Sequence, residues 1–286
     1  YFLRTALRIL KEIGNFQFKD VDQFYLKCKQ IKWENFFSVE QSFVINSTVA
    51  NSADFKNSMF ASLKVKDAIA DYFRNRYGQR PSVDPISPSV SVNLHISNDR
   101  VNISIDSSVV PLYKRGYRVE QGVAPLNEVL AAGILRIAGW NGTTDLLDPM
   151  CGSGTFPVEA GLIACNIAPG KFRNTFGFTR WKEYDENLFL KIKKEATDQE
   201  IIPAIRISAS DILESAVNDT LANARNAGVD AILSVRKADI RDVKTEGPHG
   251  HVFINPPYGQ RINPDDMGEL YNTIGTVMKH NFTGNK

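Results

Sequence analysis

Apolar residues recur along this chain with two periods, and the places where one gives way to the other mark its predicted elements. Leu3, Leu7 and Leu10 fall at helical spacing, Gly14-Asn15 ends that run, and Asp20 can cap a second helix over Val21–Gln30. Residues 1–40 therefore read as two helices. Phe43, Ile45 and Ser47–Val49 carry a strand-like pattern, and a long helix is predicted over Asp54–Tyr77. Met59, Leu63, Ala70, Phe73 and Tyr77 would line its buried face, with Ile69 and Tyr72 widening it and Gly78 ending it. Pro81, Pro85 and Pro88 mark an irregular link. Val90, Val92, Leu94 and Ile96 then alternate, as do Val101, Ile103 and Ile105, across a turn at Asn98-Asp99. That pattern is an antiparallel hairpin, and the region to about residue 110 is α+β in style.

Beyond it the pattern changes to strands alternating with helices, the mark of a parallel α/β sheet. Pro125 suits the first turn of a helix whose apolar side is Val129, Leu130, Ile134 and Ile137, closed by Gly139–Gly142. Leu146-Leu147 reads as a buried strand and Thr155–Ala164 as the helix after it. Pro169–Glu200 is wetter and reads as a lid or surface helix packed by Phe172, Phe176, Phe178 and Trp181. Strands are predicted at Ala204–Ser208, Leu233–Val235 and His251–Ile254, with a helix ending at Ala224–Gly228.

Composition bounds this picture without changing it. A chain of 286 residues with 43% hydrophobic content can bury a real core, and its length suits two domains, 1–110 and 111–286. A net charge of +2 is too small to imply a nucleic-acid partner by itself. Three cysteines, Cys28, Cys151 and Cys165, lack metal-ligand spacing and would leave one over in any disulfide scheme, which points to a reduced compartment. No apolar run approaches membrane-spanning length.

The stretch LLDPMCGSGTFPVEAG, Leu146–Gly161, carries the first candidate chemistry. Pro149 pushes Asp148 out of the helical region, and Gly152 and Gly154 permit a tight turn and close approach. The amide groups opening the next helix then point into that turn, the geometry of a nucleotide-binding corner, although an ordinary strand-to-helix turn has the same pattern. A phosphate-binding loop would need Gly-Lys-Ser/Thr at the helix entrance, and Gly154-Thr155-Phe156 offers no lysine. The dinucleotide fingerprint wants a third glycine where Pro157 stands. An acid at the strand end, Asp148, suits a cationic ligand instead, and S-adenosylmethionine (SAM) carries sulfonium and ammonium groups.

Asp211, just past the next strand, can accept ribose hydroxyls, or it can be a helix cap. Asp239-Ile240 after the third strand can hold an adenine amino group and pack on its ring, with the same alternative. The fourth strand runs into Asn255-Pro256-Pro257-Tyr258-Gly259. Two prolines make this an extended, rigid turn. The Asn255 side-chain oxygen and the Pro256 carbonyl are acceptors that can grip an exocyclic amino group, and Tyr258 can stack on the flat base. Methyl transfer from a sulfonium is an in-line displacement, so aligning the nitrogen supplies much of the catalysis and needs no metal or covalent nucleophile. His95, His249 and His251 have no obvious partners and read as surface or packing residues.

Basic residues gather beside aromatics: Lys64 and Lys66, Arg74, Arg76 and Arg80 around Tyr77, and Lys114, Arg115 and Arg118 interleaved with Tyr113 and Tyr117. Such groups suit phosphate contact with base stacking, or are simply solvated faces.

Together, DPMCGSGT and NPPYG resemble class I SAM-dependent methyltransferases that modify exocyclic amino groups. The stretches LRTALRIL, FASLKVKDAIADYFRNRYGQRPSVD, LYKRGYR, APLNEVLAAGILRIAGW and NARNAGV are similar to bacterial THUMP-domain 23S rRNA guanine-N2 methyltransferases. Members of that family are often catalogued as N6-adenine-specific DNA methylases. The resemblance implies a Rossmann-like methyltransferase domain after the end of a ferredoxin-like unit plus THUMP, an RNA-binding module. It implies that Asp148, Pro149, Cys151, Gly152, Gly154 and Thr155 bind SAM, with Asn127 near its carboxylate, Asp211 on the ribose and Asp239 on the adenine. Asn255, Pro256, Pro257 and Tyr258 would hold the guanine, and the basic residues would meet 23S rRNA or a ribosomal assembly intermediate in the cytoplasm. Leu213 stands where the family has a second ribose acid, which leaves Asp211 alone or helped by Glu214. The start without methionine, and an end one helix past NPPYG where three more strands are expected, read as a portion of a longer protein. Adenine-N6 DNA methylation and a non-catalytic RNA-binding role are the competing readings.

Overall fold

The computed structural model describes residues 1–118, 125–245, 250–257 and 264–286, with side chains of the last segment from 267. The chain divides into two units, one of Leu7–Leu112 with Asn174–Phe189, the other of Tyr1–Ala6, Tyr113–Arg173 and Leu190–Lys286.

In the first unit the order is β1 (Leu10–Gln17), α1 (Val21–Gln30), β2 (Phe43–Ala50), α2 (Ser58–Tyr77), β3 (Val90–Ser97) and β4 (Arg100–Asp106). The strands form one sheet in the order β1-β4-β3-β2, with β2 parallel to β3 and the other pairs antiparallel. Asp20 caps α1 by accepting from the Gln23 amide at 2.7 Å, and Asn98, at φ 55°, makes the hairpin turn. Phe24, Trp33, Phe37, Phe55 and Phe73 form an aromatic core against β3 and β4.

Two expectations fail here. The first helix does not exist: Leu10–Gln17 is a strand, and Leu3 and Leu7 are exposed. Pairing along the whole of β4 outweighs a three-leucine coincidence, and Gly14 sits beside an irregularity in that pairing rather than at a helix end. The long helix begins at Ser58 under an Asn57 cap and buries Ala61, Val65, Ala68, Ile69, Tyr72 and Phe73. Met59, Leu63 and Tyr77 are exposed, because the small residues Ala61 and Ala68 are what let this helix approach its sheet closely.

Residues 174–189 belong with this first unit, although they lie far along the chain. Phe176, Phe178, Tyr184 and Phe189 cluster with ring centroids 5.1–6.2 Å apart, and the Phe178 amide donates to the Ser107 carbonyl at 3.1 Å.

The second unit contains α3 (Glu128–Ile137), β5 (Leu146–Asp148), α4 (Thr155–Ala164), most of α5 (Glu186–Asp198), β6 (Ile207–Asp211), α6 (Glu214–Asn226), β7 (Leu233–Lys237), β8 (His251–Val252) and α7 (Pro264–His280). Its sheet has the order β7-β6-β5-β8, all parallel. Leu146 and Ile207 face a core with Ala131, Leu135, Trp140 and Phe156, while Leu147 faces Ile240, Val243, Val277 and Phe282. Both faces are thus covered, as buried parallel strands require. In α3 the buried apolar residues are Val129, Ala131, Ala132 and Leu135; the expected Leu130 and Ile137 are exposed. Since every strand points the same way, the acids closing β5 and β6 and the turn leaving β8 all emerge at one edge.

Candidate active site

At that carboxyl edge the turn Pro149–Gly154 leads from β5 into α4. The Cys151 amide donates to the Ser210 carbonyl at 2.9 Å, and the Gly154 amide to the Cys151 carbonyl at 2.8 Å. Gly152 and Gly154 have φ of 53° and 81°, values that L side chains rarely adopt. A Cβ on Gly154 would also stand 2.7 Å from Thr220 Cγ2. Two side chains of α6 brace the turn from below: Thr220 Oγ1 donates to the Gly152 carbonyl at 2.8 Å, and Asn223 Nδ2 to the Ser153 carbonyl at 2.9 Å.

Three acids surround this corner. Asp148 is 1% exposed and accepts from the Met150 amide at 3.1 Å; burial, helped by the nearby Asp211 charge, pushes its pKa up to about 8. Asp211 accepts from the Gly152 amide at 2.9 Å through one oxygen and from the Leu213 amide at 3.0 Å through the other, so it closes over the turn. Asp239 caps a short 3-10 turn and is chelated by Arg241, Nε at 2.9 Å and Nη2 at 2.6 Å, which with the Arg241 amide holds its carboxyl below the usual range. A cavity of about 340 Å³ is lined by Pro149, Met150, Asp211, Asp239, Ile240 and Pro257, with Glu269 entering from α7. Four strand ends are thus brought to one hollow, rich in carboxylates and floored by apolar side chains.

The other expected residues fall as follows. Cys151 and Thr155 turn their side chains into the scaffold: Sγ lies 3.6 Å from Thr220 Oγ1, and the Thr155 hydroxyl donates to the Leu126 carbonyl at 3.3 Å. Burial pushes the Cys151 thiol up, so it is an inert packing group. Asn127 spends its side-chain oxygen as the α3 cap, accepting from the Val129 and Leu130 amides at 2.9 and 3.2 Å. Asn255 and Pro256 are half-buried and leave the sheet beside β5, whose Leu147 carbonyl accepts from the Phe253 amide at 2.9 Å. Tyr258 lies outside the described residues. Glu214, the suggested helper of Asp211, instead stands 3.8 Å from Lys237, while Glu269 lines the cavity.

Of the basic residues, five lie on or just beyond α2. Lys64 stands 5.6 Å over the Phe60 ring, Lys66 pairs with Asp67, Arg74 with Asp71, Arg76 with Glu34, and Arg80 is exposed. Lys114 is exposed in the other unit. Arg115 and Arg118 are corrections to the surface reading. Arg115 is 2% exposed and holds the buried Glu159 at 3.3 Å, with the Tyr117 hydroxyl donating to the same carboxylate. Arg118 bonds inward, to Glu128, Ser153 and Thr155. Burying a cation costs far more than exposing it unless an acid pairs with it, and such acids lie 10 and 44 residues away in the chain, beyond any local pattern. Thr220 and Asn223 left a weak signal, two polar residues on the helix face that had to be buried.

Comparison with known proteins adds to this geometry. Residues 115–286 match a family profile described as "RMKL-like, methyltransferase domain", and residues 18–106 match the THUMP domain. Over 98% of its length the chain is 38% identical to "Ribosomal RNA large subunit methyltransferase K/L" of Psychromonas ingrahamii, of which it spans 38%. It is 36% identical to "Putative RNA methyltransferase slr0064" of Synechocystis sp., spanning 73% of that protein. The crystal structure of "SMU.472, a putative methyltransferase complexed with SAH" superposes with a TM-score of 0.86 at 28% identity, covering 98% of this chain and 74% of that one.

Proposed function

This chain belongs to the RMKL-like methyltransferase family, and from that premise we propose that it transfers a methyl group from SAM to the exocyclic N2 amino group of a guanine in 23S rRNA. The observation that carries this reading is the acid-lined cavity at the carboxyl ends of β5–β8, with the asparagine-proline turn at its rim. A pyrophosphate would be repelled by Asp211, Asp239 and Glu269, whereas a cationic nucleoside is attracted. Bound SAM supplies the methyl group. In this reading Asp211 accepts from the ribose hydroxyls, and Asp239 accepts from the adenine amine, sharing its oxygens with Arg241. Met150, Ile240 and Leu270 give apolar surface to the base, and Asp148 beside the glycine turn receives the methionine end. Asn255 and the Pro256 carbonyl accept the two amino hydrogens of guanine, which aligns the nitrogen lone pair with the methyl carbon. These acceptors would stabilise the positive charge growing on the guanine nitrogen as it takes the methyl group, and the proton it then sheds would pass to solvent water.

The proposed RNA substrate is supported by the THUMP match and by the rRNA and RNA activities named in the relatives, and the proposed place of action is the cytoplasm. Lys64, Lys66, Arg74, Arg76, Arg80 and Lys114 are the proposed phosphate contacts.

The test is tritiated SAM offered with naked rRNA, assembled subunits and duplex DNA. Label in guanine N2 of rRNA is expected; label in DNA alone would favour adenine methylation, and label in none a relict fold that only binds RNA. In the same assay Asn255→Ala is expected to lose activity by about a hundred-fold or more while SAM affinity stays nearly unchanged. Equal loss of both refutes the role given to Asn255.

A further inference from the structure

Arg118 has a side chain only 12% exposed, and its guanidinium reaches two separate stretches of the second unit. Nε donates to Glu128 Oε1. Nη1 donates to Ser153 Oγ at 3.0 Å, and Nη2 donates to Thr155 Oγ1 at 2.6 Å and to the Leu126 carbonyl at 3.2 Å. Ser153 and Thr155 flank Gly154, the αL residue that opens α4. Leu126 and Glu128 flank Asn127, the cap of α3. One planar group therefore ties the glycine turn to the start of a different helix.

The fork geometry of a guanidinium suits this task, because its donors lie in one plane at fixed angles. A glycine turn needs such help, since glycine contributes no side chain and has the widest backbone freedom to lose. Thr220 and Asn223 brace the same turn from α6, so Arg118 completes the clamp from another direction. Its charge is met by Glu128, itself 4% exposed, so the pair is an interior one and leaves no cation for a phosphate.

We infer that Arg118 is a positioning residue for the cofactor, holding the glycine turn against the α3 cap, and that it does not contact RNA. The inference rests on the proposal that SAM is seated at this turn. It acts through Ser153, Thr155 and Leu126, not through a contact with the ligand.

The experiment compares Arg118→Ala, Arg118→Gln and Arg118→Lys in the whole chain, reading SAM affinity by calorimetry, rRNA affinity by filter binding and stability by urea titration. Loosening the turn is expected to lower SAM affinity about ten-fold or more in the alanine and glutamine variants, with partial recovery in the lysine variant. rRNA affinity stays at the wild-type value. Guanidinium ion, added to Arg118→Ala at concentrations too low to unfold it, restores part of the SAM affinity, which a general loss of packing would not allow. Should Arg118→Ala fail to fold, Ser153→Ala and Thr155→Val remove the acceptors singly and are expected to weaken SAM in the same direction. Wild-type SAM affinity in these variants, or a fall in rRNA affinity alone, overturns the inference. A wild-type chain that binds no SAM would instead overturn the functional reading beneath it.

Discussion

Asp148 is a carboxyl group buried at the end of a strand, with one backbone amide for company and a second carboxylate in range. Its pKa of about 8 lies well above the usual carboxylate value, so the folded protein holds a proton that the unfolded chain releases above about pH 4. The sign follows directly: between about pH 4 and 8 the native state binds the extra proton, and stability contributed by this group falls as pH rises, levelling off above 8. The slope is bounded by about 1.4 kcal/mol per pH unit. Asp148→Asn removes it, so urea midpoints of this variant between pH 5 and 8 should vary less steeply than those of the wild type. Parallel pH profiles would show that Asp148 is ionised in the fold. In the proposed role a cationic ligand seated beside Asp148 would favour its ionised form, so ligand binding is expected to draw this raised pKa down.

The strand–turn–helix from β5 to α4 is where element geometry governs the site. Both glycines of the turn have left-handed backbones, yet an added Cβ meets no atom within 4 Å at Gly152 and lies 2.7 Å from Thr220 at Gly154. Gly152→Ala is therefore expected to cost only the backbone strain, about 1–2 kcal/mol. Gly154→Ala adds overpacking against α6 of about 1–3 kcal/mol and should unfold at clearly lower urea. Equal losses would mean that α6 yields freely and does not brace the turn. The local reading found this element because its signals lie within a few residues of one another: an acid before proline, paired glycines, an apolar helix. The same holds for Asp20 capping α1 and for the hairpin at Asn98. What it missed in α2 was orientation, since Met59 and Leu63 have the same apolar character as the Ile69 and Phe73 that the sheet covers.

For the whole molecule the electrostatics are modest, with a net charge of +2, so the proposed RNA binding would have to come from local clusters. Arg74 and Arg76 already pair with Asp71 and Glu34, which leaves Lys64 and Arg80 the better placed for phosphate. Lys64→Glu and Arg80→Glu are each expected to weaken rRNA binding at every sequence and to lower the log affinity–log salt slope by about 1 per lost contact. An unchanged slope in both would remove α2 from the RNA surface. The two units divide this chain unevenly along its length, because Asn174–Phe189, its four aromatic rings clustered on one another, joins the first unit through the Phe178 amide on the Ser107 carbonyl and through Trp181 against that unit's core, while Tyr1–Ala6 belongs with the methyltransferase unit. A boundary drawn once near residue 110 cannot describe that exchange.

Local chemistry alone determined the parallel α/β arrangement, the glycine corner with Asp148, the acids ending the next two strands, and the Asn255-Pro256-Pro257 turn. Each depends on residues within about ten positions of one another, where propensity and pattern act directly. Tertiary structure decided that residues 10–17 are a strand, which face of α2 is buried, and that Arg115 and Arg118 lie inside against Glu159 and Glu128. Those outcomes turn on partners brought together by folding, and the free energy that settles them, pairing along β4 or neutralising a buried cation, has no counterpart in the neighbouring sequence.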